Sequence, residues 1–569
     1  MEPLHYMVCR NEVSQLGNKT VLIIGGGPAG IQSALEQAES GNTVYLVENT
    51  AGIGGERLLY DEDSKTVDFV SPDLEKVKNN KNIRIITNAD IEKVEDDNGK
   101  FGIRIKKRAI RVIEEKCNDC KACIKVCPVN LWDDEDQGLS FRTAIDFFNH
   151  VDPSYNIVKE APVCQRACPV HLDIRGYIGF IADGKFKESL ALIKEVLPFP
   201  SICGHICPHP CEEECNRGKV DFPLSIRDLK RFVADIDLQD SCKSKPGMVV
   251  RGANKGKKVA IIGAGPAGLA CAYDLALLGY GVTVFEALPR PGGMLAVGIP
   301  DYRLPRDVLE KEIDAVSALG VEIRCNTVIG KGLSLDDLFE KGYEAVFITV
   351  GAHKNQEMRI PGEDALGVIP GVTFLRDLNL GNPVDVGGRV AVIGGGNVAI
   401  DSARCALRLG ARDVTILYRR SRQEMPASDE EIEAALEEGI KIEYLVAPLQ
   451  VFTADGKVAS LRCMRMELGK PDASGRRMPI PVEGSEFDIE LDTLIPAIGQ
   501  VPDISFLGES SEIELTKKGT IAVNPDTLET SRPGVFAGGD CQTGPKIAVE
   551  AVAAGKKAAV SIDKYLRGK

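Results

Sequence analysis

Four cysteines define the first chemistry this chain can do. Cys117, Cys120, Cys123 and Cys127 follow the spacing C-x2-C-x2-C-x3-C and close on Pro128. Thiolates spaced this way wrap one edge of an iron–sulfur cubane while the fourth turns toward a second cluster; zinc is the simpler alternative, and a run this tight, closed by proline, favours iron–sulfur. Six more follow as Cys164-x3-Cys168-Pro169, Cys203-x3-Cys207-Pro208 and Cys211-x3-Cys215. The Cys164 pair has the form of the tail of a ferredoxin run whose two leading places hold Val158 and Ala161. Three cubanes need about twelve ligands, and Cys117–Cys215 offers ten cysteines. Count therefore leaves two or three 4Fe-4S clusters open.

A second chemistry lies in three glycine loops. Gly263-Ala264-Gly265-Pro266-Ala267-Gly268 follows the apolar run Val259–Ile262 and precedes Glu286 and Gly292-Gly293. A strand ending in glycines where a helix opens presents bare N–H groups and a helix's positive end to a pyrophosphate, and the later acid reaches a ribose 2′-OH. Gly25, Gly27, Gly30, Glu48 and Gly54-Gly55 repeat the pattern, and Gly394, Gly395, Gly396, Asn397 and Val398 open a third copy. The first two copies are flavin-type openings. The third carries Tyr418 where they carry glutamate, followed by Arg419, Arg420 and Arg422. Guanidinium groups pair with a 2′-phosphate that an acid would repel, so the expected nucleotide is NADPH; a merely solvated basic turn would leave NADH possible.

These loops require strand–helix–strand units to position them. Such units read at 19–48, from Lys257 to Gly293, and from Val390 to Tyr418, with further short strands at Ile83–Thr87, Ile91–Glu95 and Phe101–Lys106. Helical periodicity marks Ile174–Phe180, Phe186–Glu195 and Leu224–Ile236 around the second cysteine zone. Residues 240–256 read as a linker. Gly351 and Gly499 end apolar strands at places suited to close approach of a cofactor, and Gly534–Asp540 has the form that closes a flavin fold, with Gly539 and Asp540 near the ribityl or pyrophosphate portion. Only one such closing motif is present, so the N-terminal copy is either a remnant or completed by another chain.

The formal charge of −14 disfavours nucleic acid as a partner. Met1–Asn11 lacks the form of a signal peptide and no apolar run reaches spanning length, so a cytoplasmic protein without membrane insertion is expected. That compartment argues against a disulfide framework. Cys271, Cys325, Cys405, Cys463 and Cys541 are each single, which removes the dithiol a disulfide reductase needs; Cys271 and Cys405 read as small buried residues on the cradle helices. His205 and His209 flank cluster cysteines and read as packing residues.

Residues from about 17 to 130, on the Gly25 loop, Glu48, Gly54-Gly55 and the Cys117–Val129 run, resemble the opening of the heterodisulfide reductase flavoprotein subunit, cut short before its flavin fold is finished. From Ala161 onward the chain resembles the small subunit of glutamate synthase and its relatives, which include the large subunit of the NADH-dependent ferredoxin:NADP transhydrogenase and the N-terminal part of dihydropyrimidine dehydrogenase. The matching runs are Cys203–Pro208, Gly298–Pro305 with Arg303, Gly394–Asp401, Tyr418-Arg419-Arg420 and Gly534–Asp540. In that family two cysteines usually precede the one matching Cys164; here they are absent.

The expected class is therefore α/β, with paired Rossmann-like, glutathione-reductase-type nucleotide-binding domains. A partial flavin-type domain is expected over 1–110, a ferredoxin-like 4Fe-4S segment over 111–150 and a helical iron–sulfur domain over 151–245. The FAD domain would run over 246–385 and 491–569, interrupted by an NAD(P)H domain over 386–490. The cofactors would be FAD, 4Fe-4S clusters and NADP(H) or NAD(H), with hydride passing to flavin and single electrons onward, so that no acid or base side chain need act. The expected function is electron transfer to a protein acceptor: ferredoxin, or partner subunits such as a heterodisulfide-reductase-like or 2-oxoacid oxidoreductase assembly. A glutamate synthase small subunit and a wiring subunit with a vestigial nucleotide domain are the alternatives. A second flavin in the Gly25 cradle would allow electrons to be split between two paths.

Overall fold

The computed structural model describes residues 19–49, 53, 74–87, 89–97, 100–107, 162–240, 255–472, 475–508 and 512–568, with short strands at 6–8, 58–60, 66–68, 130–132, 141–143, 145–148 and 154–157. Cys117, Cys120, Cys123, Cys127, Gly54, Gly55 and nearly all of the linker lie outside the described residues. The chain divides into two compact units, Met1–Ala161 and Pro162–Lys569.

In the first unit, Thr20–Ile24, Thr43–Val47 and Ile83–Ile86 form a parallel sheet in that order. Helix Pro28–Glu39 buries Ile31, Ala34, Leu35 and Ala38, an i, i+3, i+4, i+7 stripe that seats against Val44 and Leu46. A three-stranded antiparallel sheet of Tyr6–Val8, Lys100–Lys107 and Ala89–Asp97 packs through Ala89 and Ile105 onto Val47. Three parallel strands stand around the Gly25 cradle.

The second unit carries two parallel sheets. The first has five strands in the order Glu322–Arg324, Gly281–Phe285, Lys258–Ile262, Ala345–Ile348, Val535–Ala537. Its central strands are buried on both faces, as their unbroken apolar runs require. The second has four, in the order Lys441–Tyr444, Asp413–Tyr418, Arg389–Ile393, Thr493–Pro496.

The last of these strands corrects the boundary expected at 490. Thr493–Pro496 pairs with Arg389–Ile393 in the nucleotide sheet, so the FAD domain resumes only after it. The other boundary also moves: helix Gly371–Asn379 places Phe374 and Leu375 in the core that holds Val392 and Ile416. An antiparallel sheet of Val446–Ala454, Lys457–Pro471, Arg477–Pro481 and Phe487–Glu490, absent from the sequence reading, is appended to this domain.

The cysteine zone is helical: Val163–Ala167, Ile174–Ala182, Phe186–Lys194, Pro200–Ile206, Pro210–Glu213 and Ile226–Asp240. Tyr177, fully buried, donates to the Ile226 carbonyl at 2.7 Å and ties the second helix to the last. Glu312, on the FAD-domain helix Arg306–Ser317, accepts from the N–H groups of Ser201 and Ile202 at 2.8 and 2.9 Å. These are two of the donors that a helix start leaves without an internal partner. Burial lifts the Glu312 carboxyl to about 7, against the pull of those two N–H groups. No helix among the described residues is long and apolar enough to cross a membrane.

Candidate functional site

The three cradles are built by the same steric rule. Gly263 turns the chain out of the sheet at φ +106°, where a Cβ would lie 2.4 Å from the Thr349 carbonyl oxygen; Gly394 repeats this at +139°, with 2.3 Å to that of Ala497. Gly30 and Gly268 let the helix cross its own first glycine, since a Cβ there would fall 1.9 and 2.1 Å from the carbonyl oxygens of Gly25 and Gly263. Ala399 occupies this place in the third cradle, so that helix stands further off by a methyl group.

The acids also repeat. Glu48 accepts from the Gly26 N–H at 2.5 Å, and Glu286 from the N–H groups of Ala264 and Leu288, both at 2.8 Å. Burial raises the Glu286 carboxyl and these hydrogen bonds oppose the rise. In the third cradle the ring of Tyr418 lies on Gly395, where a Cβ would meet it at 2.6 Å, and its hydroxyl donates to the Glu424 carbonyl at 2.6 Å. An aromatic wall thus stands where the other two cradles place a carboxylate.

The second and third cradles open into one cleft of about 1420 Å³. That exceeds the roughly 300–1,000 Å³ of an ordinary small-molecule pocket. Gly263, Gly265, Pro266, Ala267, Glu286 and Gly293 line it on one side; Gly394, Gly396, Asn397, Val398 and Gly499 line it on the other. Gly351, Arg303, Gly539 and Asp540 lie on its wall, and burial raises Asp540 to about 6 while the Lys546 N–H, donating at 3.1 Å, opposes this. Gly268 and Gly292 serve the packing behind the wall. Gly25, Gly27, Gly30 and Glu48 belong to the N-terminal unit.

The arginines separate by their partners. Arg420 is buried, donating to Asp472 at 2.6 Å and to the Arg477 carbonyl at 2.7 Å. Arg422 pairs with Asp429 and Glu433 and is not on the cleft wall. Arg419 is exposed on that wall with no hydrogen bond or ion pair among the described residues. Arg303 is held by Asp401 at 2.6 Å and by Glu431, so it clamps the FAD domain to the nucleotide domain. Burial lifts Asp401 to about 6 and Arg303 opposes that rise.

Three wall residues escaped the sequence reading. Arg476 comes from the turn just before the strand Arg477–Pro481 of the appended sheet, whose pairing no local pattern announced. His353 sits beside Gly351, its imidazole held below the usual range by burial and then by Arg376. Gln500 follows Gly499, and its Nε2 is buried on the wall without a partner. That orphaned donor fits a cleft built to receive a polar cofactor.

The six cysteines of the helical segment are free thiols. Cys168, Cys207 and Cys211 line one small cavity, and Cys164 lies near Cys215. Among the described residues no three His, Cys, Asp or Glu side chains converge tightly enough for a single metal ion. His205 bonds the Ser201 carbonyl at 2.9 Å, as a packing residue would.

Comparison with known proteins agrees with this geometry. The family described as pyridine nucleotide-disulphide oxidoreductase matches residues 257–555, more than half of the chain, and a related profile of the same description matches 20–108. The chain belongs to the pyridine nucleotide-disulphide oxidoreductase family. Cys271, Cys405, Cys463 and Cys541 are buried and Cys325 is partly so, all of them free. Residues 158–242 match dihydropyrimidine dehydrogenase domain II, 4Fe-4S cluster, and 110–132 match a 4Fe-4S binding domain.

Among relatives, the beta subunit of an NADP(+)-dependent formate dehydrogenase from Moorella thermoacetica is 52% identical over 428 residues, covering 71% of this chain and 60% of that one. The beta subunit of an NADPH-Fe(3+) oxidoreductase from Geobacter sulfurreducens is 46% identical over 436 residues, covering 72% and 64%. The Escherichia coli glutamate synthase [NADPH] small chain is 36% identical over 423 residues, covering 71% and 89%. The chain thus spans less than two thirds of the first two. This oxidoreductase uses FAD, NAD(P) and 4Fe-4S centres for electron transfer.

Proposed function

We propose that this chain is the NADPH-facing subunit of a larger redox complex, exchanging electrons between the nucleotide and a partner protein. The observation that carries the reading is a shared wall. Ile206 and Pro208 line the large cleft while Cys207 between them lines the cysteine cavity; Val549 lines that cavity while Ala548 and Glu550 line the cleft. A single layer of residues therefore separates the two spaces.

In this reading Gly263, Gly265, Pro266, Ala267, Gly268, Glu286, Gly292 and Gly293 hold FAD, completed by Gly351, Gly539 and Asp540. Gly394, Gly396, Asn397, Val398 and Gly499 hold the nucleotide, and Arg419 meets its 2′-phosphate, with Arg420 bracing the site. Bound flavin supplies the conversion between hydride and single electrons. The protein excludes water, aligns the two cofactors and keeps the cluster close.

Three relatives whose printed names differ in substrate are named as subunits, two beta subunits and a small chain, while others are named only as oxidoreductases. That pattern suits an electron port whose acceptor is set by its companions. A glutamate synthase small chain is the second reading, supported by 89% coverage of that relative. The ferredoxin-type run at 110–132 favours the port, because it adds an electron site before the shared region. The test is anoxic purification of the tagged chain from its native cells, with companions identified by mass spectrometry and NADPH-driven dye reduction measured alongside. A reductase or dehydrogenase companion supports the port and an amidotransferase companion supports glutamate synthesis. Failure to reduce any dye with NADPH would refute both.

A further inference from the structure

Helix Ile226–Asp240 buries Ile226, Val233 and Ala234, and the same stripe carries Lys230 at i+4 from Ile226. An apolar stripe is the wrong place for an ammonium unless something anionic faces it. Lys230 is only 7% exposed, yet it has no hydrogen bond or ion pair among the described residues. It lines the small cavity together with Cys168, Cys207 and Cys211; the rest of the lining is proline and aliphatic side chain. Its charge also reaches Cys203, which is 2% exposed and lies one helical turn before Cys207.

An ammonium on a side chain only 7% exposed, with no partner among the described residues, is costly, and three thiols without a cation would be costly once ionised. Each supplies what the other lacks. A cluster held by thiolates carries net negative charge, and a fixed cation beside it favours the more negative, reduced state.

We propose that Lys230 is the built-in counter-charge of an iron–sulfur cluster held by Cys168, Cys207 and Cys211, and that it raises the reduction potential of that cluster. Cys203 lies one helical turn before Cys207 and does not line the cavity. Cys164 and Cys215 do not line this cavity. The inference rests on the reading that this helical segment takes part in the electron path, but Lys230 acts on the cluster itself and so can be tested without nucleotide.

The test is a mediated chemical reductive titration of the full chain, followed by electron paramagnetic resonance, on Lys230→Met and Lys230→Arg with iron and sulfide counted in each. Lys230→Met should keep its iron and shift the oxidised-to-reduced ratio of one cluster at least tenfold toward oxidised at fixed potential, about 59 mV for a one-electron couple, while Lys230→Arg stays near the parent. Loss of one cluster from Lys230→Met but not from Lys230→Arg would also support the counter-charge. An unchanged potential in an iron-replete Lys230→Met, or equal iron loss in both variants, would overturn it. Failure of NADPH to reduce the flavin would count against the proposed function and leave this result standing.

Discussion

Replacing Arg419 by alanine should separate NADPH from NADH. Arg419 is the arginine of its run that lies exposed on the cleft wall without a partner among the described residues, whereas Arg420 is bound to Asp472 and Arg422 to Asp429 and Glu433. A hydrogen bond to a charged group contributes about 1.5–3 kcal/mol, and tenfold in binding is about 1.4 kcal/mol. An exposed guanidinium is screened by solvent, which places it at the lower end. The KM for NADPH should therefore rise roughly tenfold. The 2′-phosphate is remote from the transferred hydride, so its loss removes binding common to ground and transition states and kcat should hold. NADH, lacking the phosphate, should be nearly unaffected. The assay is steady-state reduction of an artificial dye with each nucleotide. An equal loss with both nucleotides, or a fall in kcat alone, would refute the reasoning.

Arg420→Ala should instead cost stability, a few kcal/mol by denaturant titration, because it strips the partner from Asp472 and leaves selectivity little changed. Gly268→Ala places a methyl 2.1 Å from the Gly263 carbonyl oxygen and 2.9 Å from Thr349 Cγ2, so the purified protein should retain much less flavin; full retention would mean that this helix can stand off as the one bearing Ala399 does. Glu312 is held at about 7 by burial, above its ordinary 4.5, so its contribution is complete below pH 4.5 and is lost as pH rises through 7. At about 1.36 kcal/mol per unit that is about 3 kcal/mol, and Glu312→Gln should flatten this part of the stability profile when unfolding is compared at pH 5 and pH 8. Arg303→Met should slow nucleotide-dependent flavin reduction in stopped flow, because it leaves Asp401 and Glu431, both on the nucleotide domain, without the cation that ties them to the FAD domain.

The cradles were legible because each position in them answers a hard local constraint: a carbonyl 2.1 Å from where the Gly268 Cβ would stand can be inferred from spacing alone. The strand Thr493–Pro496 was assigned to the wrong domain because a fully buried apolar run carries no mark of which parallel sheet it joins. Arg419, Arg420 and Arg422 looked equivalent in sequence, and became unlike only when a distant hairpin brought Asp472 and a helix brought Asp429 and Glu433. The cysteine count was visible in the chain, while the grouping of Cys168, Cys207 and Cys211 depends on three separate helices closing around one space. Lys230 did leave a signal, a cation at the core phase of an amphipathic helix, and it was overlooked in favour of the cysteines around it.

The distribution of buried apolar contacts sets the helical segment and the FAD domain on one core and the nucleotide domain on another. One core runs without a break from Leu172, Tyr177 and Cys203 of the helical segment into Val259, Leu269 and Phe347 of the FAD domain. Glu312 pins the start of the cysteine-bearing helix to the same domain with two hydrogen bonds. The nucleotide domain has its own core, built from Phe374, Val392, Ala399 and Ile416 with no member from the FAD sheet. What joins it to the FAD domain at the cleft is polar: Arg303 on Asp401 and Glu431, and Tyr302 on Asp401 at 3.2 Å. Arg404 and Arg408 also lie against the Tyr302 ring. Polar interfaces of this kind permit lobes to shift, whereas a shared close-packed core does not. The division suits the two chemistries. In the proposed function the common core would hold flavin and cluster at a constant separation, while the lobe proposed to take the nucleotide is joined at the cleft through Arg303, Asp401 and Glu431.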